Sequence, residues 1–272
     1  ELPQELSLCL SVRAGVARLS LRSPAHPGNL NAPRAVAVAV LLYAFRCLVQ
    51  SRGGAAAGLP LNDGALRPFT LDLEPGGLFD PQPPRAVAGG NVETSQRLAD
   101  ALFAALGVLA AGQGTMNNLT VGFAQGAFYE TIGGGSGAGP GFAGADGVQV
   151  HMTNTRATDV EELEVRFPVR LLRHARREGS GGEGRWPGGE GVVMEWELLA
   201  PAQISLLAGA RRVPPAGMAG GDAGALGVDE RDIGAGWEPM PLSWEGEAGD
   251  RLRISTPGGG GFGSPDLGGI DR

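Results

Sequence analysis

Apolar and polar residues alternate near the start of the chain. Leucine or valine occupies positions 6, 8, 10 and 12, and the alternation resumes from Val16 to Leu21 after the pair Ala14 and Gly15. A period of two around a short turn predicts a β-hairpin. An isolated hairpin is only marginally stable, so we expect it to join a larger sheet.

Two longer stretches have the length and spacing of helices. Asn31 and Pro33 precede an apolar run over residues 34–50, which predicts a buried helix. Thr94 or Ser95 is expected to cap a second helix that continues to Ala111 with its leucines on one stripe. Residues 68–74, between them, predict a short strand, and we interpret both helices as scaffold.

The chain beyond residue 118 is mostly strand-like. Apolar runs of strand length occupy residues 119–123, 127–132, 148–152, 169–176, 192–199, 203–207 and 251–255. Thr158 and Glu161 have the spacing of a capping box for a short helical turn. The sequence therefore predicts an α+β fold, with helices packed on mixed sheet in a first part, residues 1–165, which carries the candidate site. A β-rich part with glycine loops is expected over residues 166–272.

Glycine dominates the composition. Glycine supplies 47 and proline 20 of the 272 residues, about twice their usual share. Because 42% of the residues are hydrophobic and well patterned, we interpret the chain as folded, with many glycine-built loops. The longest apolar run, residues 35–45, is shorter than the ~20 residues of a membrane span, and we expect a cytoplasmic protein. Cys9 and Cys47 are expected to be free thiols.

The charged residues exclude several classes of site. The formal net charge is −7, and all 22 basic residues are arginine. A chain without lysine has no phosphate-loop lysine and no Schiff-base lysine. The scattered arginines and the acidic balance argue against a nucleic-acid interface, which needs a coherent basic face.

The glycine motifs do not favour a nucleotide site. The spacing GxGxxG occurs at 139–144, 179–184 and 258–263, but none of the three lies between a predicted parallel strand and a helix, as a dinucleotide site requires. A less favoured interpretation is that the backbone N–H groups of Gly133–Gly137 form a nest that binds an anion. The simpler reading is that the glycines permit close backbone approach.

Histidine is scarce. His26, His151 and His174 are far apart and lack metal-ligand spacing. His174 lies among arginines, which is typical of a solvated strand face. His151 begins a short polar run and is a candidate for proton transfer, with a structural histidine as the alternative.

Amides and one glutamate are further candidates. Gln96, Gln113, Asn117 and Asn118 suit recognition of an amide or carboxylate, or else perform capping and turn roles. Glu130, on a predicted strand that leads into a triple glycine, is the preferred general base. The alternative is an ordinary surface glutamate.

Five segments together resemble one family. They are residues 88–97 (AGGNVETSQR), 113–118 (QGTMNN), 129–135 (YETIGGG), 151–156 (HMTNTR) and 256–263 (TPGGGGFG), and they occur in this order across nearly the whole chain. They are similar to the hydantoinase B / 5-oxoprolinase family. The resemblance implies ATP-dependent opening of a cyclic amide: 5-oxoproline to glutamate, or a hydantoin to an N-carbamoyl amino acid.

The resemblance also implies partners and residue roles. An A-type half, fused or separate, would bind ATP, while the B-type half completes hydrolysis, and the protein would form oligomers. Glu130 and His151 become candidates for proton transfer. The substrate-orienting candidates are Gln96, Gln113, Asn117, Asn154 and Arg156, and the last could pair with a carboxylate. We expect Gln113, Glu130, His151 and Arg156 to converge on one concave surface.

One departure from the family pattern limits these expectations. An upstream region rich in His and Asp, with an HxxD-type pattern, has no counterpart in the chain, which resembles the later half of the B region. ATP and a divalent metal are therefore expected to bind outside it. The alternatives are a subunit of an acetone-type carboxylase and an inactive truncated copy that serves as an assembly surface.

Overall fold

A computed structural model describes residues 5–53 and 62–265. The chain forms two compact units, Glu1–Gly107 and Val108–Arg272. The described residues contain three α-helices and twelve strands in three sheets, and the predicted α+β class is confirmed.

The first unit combines a small mixed sheet with two helices. Strands β1 (Ser7–Arg13) and β2 (Val16–Arg22) form the predicted antiparallel hairpin, and β3 (Phe69–Leu73) adds to β2 in parallel. The helices are α1 (Arg34–Ser51) and α2 (Thr94–Ala105). Helix α1 is long and apolar enough to cross a membrane by length and composition alone, a test that core helices of globular proteins also pass.

The second helix is shorter than its apolar stripe predicts. It ends at Ala105, and Gly107 follows with φ +68°, a conformation that favours glycine and stops the helix. The predicted cap is also wrong. The Thr94 hydroxyl donates to the Leu30 carbonyl and the Ser95 hydroxyl to the Asn91 carbonyl, so neither serves the helix as a cap.

The second unit contains two antiparallel sheets. One has the order β10-β9-β12-β7-β6, and the other β11-β8-β4-β5. The strands are β4 (Asn118–Phe123), β5 (Gly126–Thr131), β6 (Val169–Arg177), β7 (Gly191–Leu198), β8 (Ala202–Leu207), β9 (Val228–Asp232), β10 (Trp237–Pro239), β11 (Ser243–Gly246) and β12 (Arg251–Ser255), with α3 (Val160–Arg166) between β5 and β6.

Most strand predictions in this unit are confirmed. The predicted strand at 148–152 is wrong, because only Val148 makes a bridge, to Gly134. Strands β9, β10 and β11 are shorter and more polar and were not predicted. The first compact unit ends at residue 107, whereas the sequence-based division falls at residue 165. That division separates β4 from β8, with which β4 pairs directly.

An apolar core holds the second unit together. Alternate residues of the two sheets point into it, and the fully buried side chains include Trp196, Leu198, Ile204 and Leu252. Burying each such side chain contributes roughly 1.5–3 kcal/mol.

The glycine-rich segments form a second buried region rather than surface loops. Residues 256–263 are buried along their whole length. Successive backbone N–H groups donate to different neighbouring segments: Gly258 to Ala225, Gly259 to Gly189, Gly260 to Ala111 and Gly261 to Asp222. A Cβ on Gly259 would lie 1.9 Å from the Ser136 carbonyl oxygen. Only glycine fits backbones packed this closely, as at the axis of collagen.

Candidate functional site

A cavity of about 380 Å³ opens beside the end of strand β5 in the second unit. Its walls come from the end of β5 and the residues after it, from the segment 147–157, and from strands β6 and β7. The lining residues are Glu130, Thr131, Ile132, Gly133, Gly147, Val148, Gln149, Asn154, Thr155, Ala157, His174, Val192 and Met194.

Glu130 is the acidic residue of this cavity. The two-residue period of β5 places Phe128 and Glu130 on its inner face, 8% and 6% exposed, while Tyr129 is 53% exposed on the outer face. The carboxylate accepts two hydrogen bonds from Thr158, one from the backbone N–H at 3.0 Å and one from the hydroxyl at 2.6 Å. These bonds fix the carboxylate at the cavity wall.

The Thr158 bonds correct the predicted capping box. Asp159, not Thr158, caps α3, because its carboxylate accepts from the N–H groups of Glu161 and Glu162. The Thr158 hydroxyl instead donates to Glu130. Thr158, which was predicted to cap a helix, therefore fixes the carboxylate of Glu130, the predicted general base.

Gln149 also lines the cavity and was not a sequence candidate. Its Nε2 donates to the Thr131 carbonyl oxygen at 2.9 Å and to the Thr131 hydroxyl at 3.2 Å. A carbonyl can only accept, so the nitrogen must face Thr131. Its Oε1 is buried and receives no hydrogen bond from the described part of the chain.

Two further polar side chains reach the cavity. Asn154, a sequence candidate, lines it from the 147–157 segment, and His174 lines it from β6. His174 is exposed, as predicted for a solvated strand face. Its position facing the cavity depends on the pairing of β6 with β7, which sequence spacing alone does not reveal.

His151 and Arg156 belong to the same 147–157 segment but are not among the residues that line the cavity. His151 is half-buried and has a positive φ of 52°, which is uncommon for a residue other than glycine. Arg156 is exposed. The expected convergence of Gln113, Glu130, His151 and Arg156 on one surface is not seen in the cavity lining, which contains only Glu130 of the four.

Gln113 and Asn117 lie instead in a buried polar network. Both are 0% exposed. The Asn117 amide donates to Gln113 Oε1 at 2.8 Å and to the Ile132 carbonyl oxygen at 3.0 Å. Arg211 donates to Asn117 Oδ1 at 2.6 Å and forms a two-bond ion pair with Asp229. Most polar atoms of this network are paired, as is typical of a structural role, while Gln113 Nε2 is buried without a hydrogen-bond partner in the described part of the chain.

Gln96 lies in the first unit. It is 0% exposed on α2. Among the sequence candidates, only Glu130 and Asn154 thus share the cavity. Spacing along the chain could not distinguish these two residues from the buried amides Gln96, Gln113 and Asn117. Strand pairing and chain packing decide which polar side chains reach the cavity and which are buried elsewhere.

The glycine segments do not fit a phosphate group. In the proposed nest, Gly134 and Gly135 donate their N–H groups to the carbonyls of Val148 and Pro257, and Ser136 donates to that of Ala145. Phosphate recognition by a nest needs N–H groups free to face the anion. Within residues 5–53 and 62–265, no group of three or more His, Cys, Asp or Glu side chains could hold a metal ion.

Several known proteins are similar to this chain in sequence or in fold. 5-oxoprolinase 1 of Arabidopsis thaliana is 46% identical over 248 residues, covering 89% of this chain and 19% of that protein. An uncharacterized protein of Methanocaldococcus jannaschii is 38% identical, covering 87% of this chain and 42% of that protein. The crystal structure of an ATP-dependent caprolactamase from Pseudomonas jessenii has a similar fold, with a TM-score of 0.79 at 24% identity, over 96% of this chain and 48% of that one.

The chain spans about a fifth of the length of the curated 5-oxoprolinases that it matches. Residues 8–265 match the family described as Hydantoinase B/oxoprolinase. This match covers nearly the whole chain and agrees with the resemblance carried by the five sequence segments. The chain belongs to the hydantoinase B/oxoprolinase family.

Proposed function

We propose that this chain is part of an ATP-dependent hydrolase that opens cyclic amides, converting 5-oxoproline to glutamate or a hydantoin to an N-carbamoyl amino acid. The observation that carries the proposal is the 46% identity with a 5-oxoprolinase over 89% of the chain. In this proposal the protein acts in the cytoplasm, in glutathione metabolism.

The need for ATP follows from the stability of the amide. An amide in an unstrained five-membered ring is resonance-stabilised, and phosphorylation of its carbonyl oxygen by ATP makes that oxygen a leaving group. Because backbone N–H groups of the glycine segments already donate to backbone carbonyl oxygens, we assign ATP and any divalent metal to another part of the protein, the A-type half or an upstream B-type segment. This chain then acts on the activated ring.

Glu130 is the proposed proton-transfer group. Water adds to the activated carbonyl carbon and gives a proton to the Glu130 carboxylate. The ring C–N bond then breaks as the nitrogen takes up that proton, which leaves an acyl phosphate, and a second water displaces phosphate to give the carboxylate product. Thr158 holds the carboxylate in one orientation, and the cavity of about 380 Å³ can hold a small ring. Fixed geometry of this kind is what general acid–base catalysis needs.

Other residues have supporting roles in the proposal. Asn154 orients the substrate from the cavity wall. His151 and Arg156 stay candidates for proton transfer and carboxylate binding, since they adjoin that wall in sequence. The substrate-binding roles of Gln96, Gln113 and Asn117 stay predictions, and the full burial of these three side chains favours a structural role.

The test uses the complete protein with its remaining segments or partner subunit. We expect glutamate release from 5-oxoproline only with ATP. Glu130→Gln should lower kcat by about 10²–10⁴-fold, because the amide cannot take the proton of water. Glu245→Gln, at an exposed glutamate on β11, is the matched control and should leave kcat unchanged.

The outcomes separate the possible functions. Equal glutamate release without ATP would contradict the mechanism. Turnover of a hydantoin but not of 5-oxoproline would change only the substrate. ATP hydrolysis that depends on bicarbonate would point to a carboxylase instead, and full activity of the Glu130→Gln protein would assign this chain to assembly rather than catalysis.

A further inference from the structure

The part of the candidate cavity that strand β7 supplies is apolar. It consists of Val192 and Met194, which are each 7% exposed and belong to the apolar core of the second unit. A valine side chain has no donor or acceptor, and a methionine sulfur is only a weak acceptor. A polar group placed against this apolar wall would therefore lose its hydrogen bonds to water without gaining others.

Strand pairing fixes the direction of these two side chains. Strand β7 pairs with β6 so that Met194 lies directly across from His174, and Val192 directly across from Arg176. Residues two apart on a strand share a face of the sheet, so Val192 and Met194 point to the same side. Val193, between them, points to the other face and is not among the residues that line the cavity.

The proposed proton-transfer group comes from the other sheet of the second unit. Glu130 lies on β5 in the four-stranded sheet, whereas Val192 and Met194 lie on β7 in the five-stranded sheet. Phe128, which shares the inner face of β5 with Glu130, belongs to the same apolar core as Val192 and Met194. Sheets packed face to face lie about 10 Å apart, which leaves room for a small ring that contacts both of them.

A five-membered lactam has a polar edge and a hydrocarbon edge. The polar edge is the bond between the carbonyl carbon and the ring nitrogen, which must come within reach of Glu130 for proton transfer. The hydrocarbon edge consists of the ring methylenes, and phosphorylation of the carbonyl oxygen leaves them unchanged. When the C–N bond lies at Glu130, the methylenes lie on the side of the ring away from the carboxylate.

We propose that Val192 and Met194 receive the methylene edge of the activated ring and determine specificity at that edge. This inference rests on the proposed function and adds specificity-determining residues to it. Contact between the methylenes and this wall removes apolar surface from water on both sides. A hydroxyl group on the same ring edge would instead be buried without a hydrogen-bond partner.

The test measures how many rings the complete protein opens for each ATP that it hydrolyses. A phosphorylated ring that does not fit the cavity is returned to the lactam by water with release of phosphate, so ATP is consumed without ring opening. The two substrates are derivatives of 5-oxoproline with a methyl or a hydroxyl group on the ring carbon opposite the reacting C–N bond. We expect the wild type to open about 10–100-fold more of the methyl derivative per ATP, because an apolar pocket distinguishes these groups of similar size to that extent.

Two variants place a hydrogen-bonding group on the apolar wall at nearly unchanged volume. Val192→Thr and Met194→Gln should each raise opening of the hydroxyl derivative per ATP and reduce the preference by about tenfold. Val193→Thr makes the same change as Val192→Thr on the other face of β7, so it is the matched control and should preserve the preference. Thermal melting shows whether each variant is folded, and Val192→Thr decides the test if Met194→Gln does not fold.

The inference is overturned if folded Val192→Thr keeps the full preference, if the wild type opens both derivatives equally well, or if it opens 5-oxoproline but neither derivative. Opening of 5-oxoproline itself tests the proposed function separately. ATP-dependent opening of 5-oxoproline without a preference for the methyl derivative would refute only the roles of Val192 and Met194. No ATP-dependent opening of 5-oxoproline would refute the proposed function and, with it, this inference.

Discussion

The two compact units are built from different kinds of core. The first unit packs ordinary apolar side chains, such as Leu19, Val40 and Leu98, between helices and a three-stranded sheet. The second unit has an apolar core of the same kind and, in addition, a region where glycine backbones contact one another without side chains. The comparison shows that glycine residues allow close backbone packing in the second unit, and that the candidate cavity lies next to this closely packed glycine region.

The difference matters for function because the two kinds of core tolerate change differently. Side-chain cores can repack after conservative substitutions, whereas a carbonyl oxygen 1.9 Å from a new Cβ cannot be avoided without moving the backbone. The glycine region therefore fixes the positions of the segments beside it. Gly133, which lines the cavity, accepts a hydrogen bond from the Thr256 hydroxyl at the start of the buried glycine run.

The largest expected effect comes from adding one methyl group to the glycine region. Gly259→Ala should destabilise the second unit by about 4 kcal/mol or more, because the new Cβ would overlap the Ser136 carbonyl. Chemical denaturation measures the change. Gly122→Ala is the matched control: its nearest neighbour, the Gln203 carbonyl oxygen, would lie 3.8 Å away, and the expected change is below about 0.5 kcal/mol. Similar stability of both variants would refute backbone packing as the role of the glycine run.

A smaller effect is expected in the buried polar network of the second unit. Asn117→Ala leaves Arg211 and Gln113 each without one hydrogen-bond partner and should cost about 2 kcal/mol. Denaturation measures this loss, and kinetics of the complete protein should give an unchanged KM. A raised KM with unchanged stability would instead support the substrate-binding role predicted from the sequence.

The smallest effect is expected on the exposed ion pairs of the first unit. Hydrogen bonds from Arg18 and Arg22 lower the pKa of Asp72 to about 2. Since this pKa is lowered on folding, the stabilisation is present above the unfolded value of about 3.9 and is lost as the pH falls toward about 2. Asp72→Asn should remove that part of the pH dependence, measured as the unfolding midpoint between about pH 5 and pH 2. An identical acid profile for both proteins would show that the ion pairs contribute nothing, as is common at surfaces.

Local patterns predicted the local elements well. The hairpin of β1 and β2 has a strict period of two, and α1 has both a start signal and an apolar interior, so each follows from its own residues. The failures occurred where a tertiary contact competed with a local signal. Thr158 has the spacing of a cap but donates to Glu130. Residues 148–152 are apolar enough for a strand, but Val148 alone makes a bridge, and Val148 and Gln149 line the cavity.

The candidate site was predicted only in part, because tertiary contacts decide which of the candidate side chains reach the cavity. Glu130 was identifiable because it follows two aromatic residues on a predicted strand that leads into a triple glycine. Gln113 and Asn117 have amide side chains that could bind a substrate. The sequence does not show that both are fully buried in a network with Arg211 and Asp229, away from the cavity lining. Gln149 gave no sequence signal, because its place on the cavity depends on the hydrogen bond of its amide to Thr131.

The sequence by itself determined the family, the α+β class and the lack of lysine chemistry, since these depend on residue identity and short-range order. The tertiary structure alone decided that the glycine runs are a buried packing region rather than loops or phosphate sites. It also decided that Glu130, Gln149 and His174 share one cavity. The physical reason is that burial and hydrogen-bond pairing arise between segments far apart in the chain, and no local spacing encodes which distant backbone will occupy the space beside a glycine.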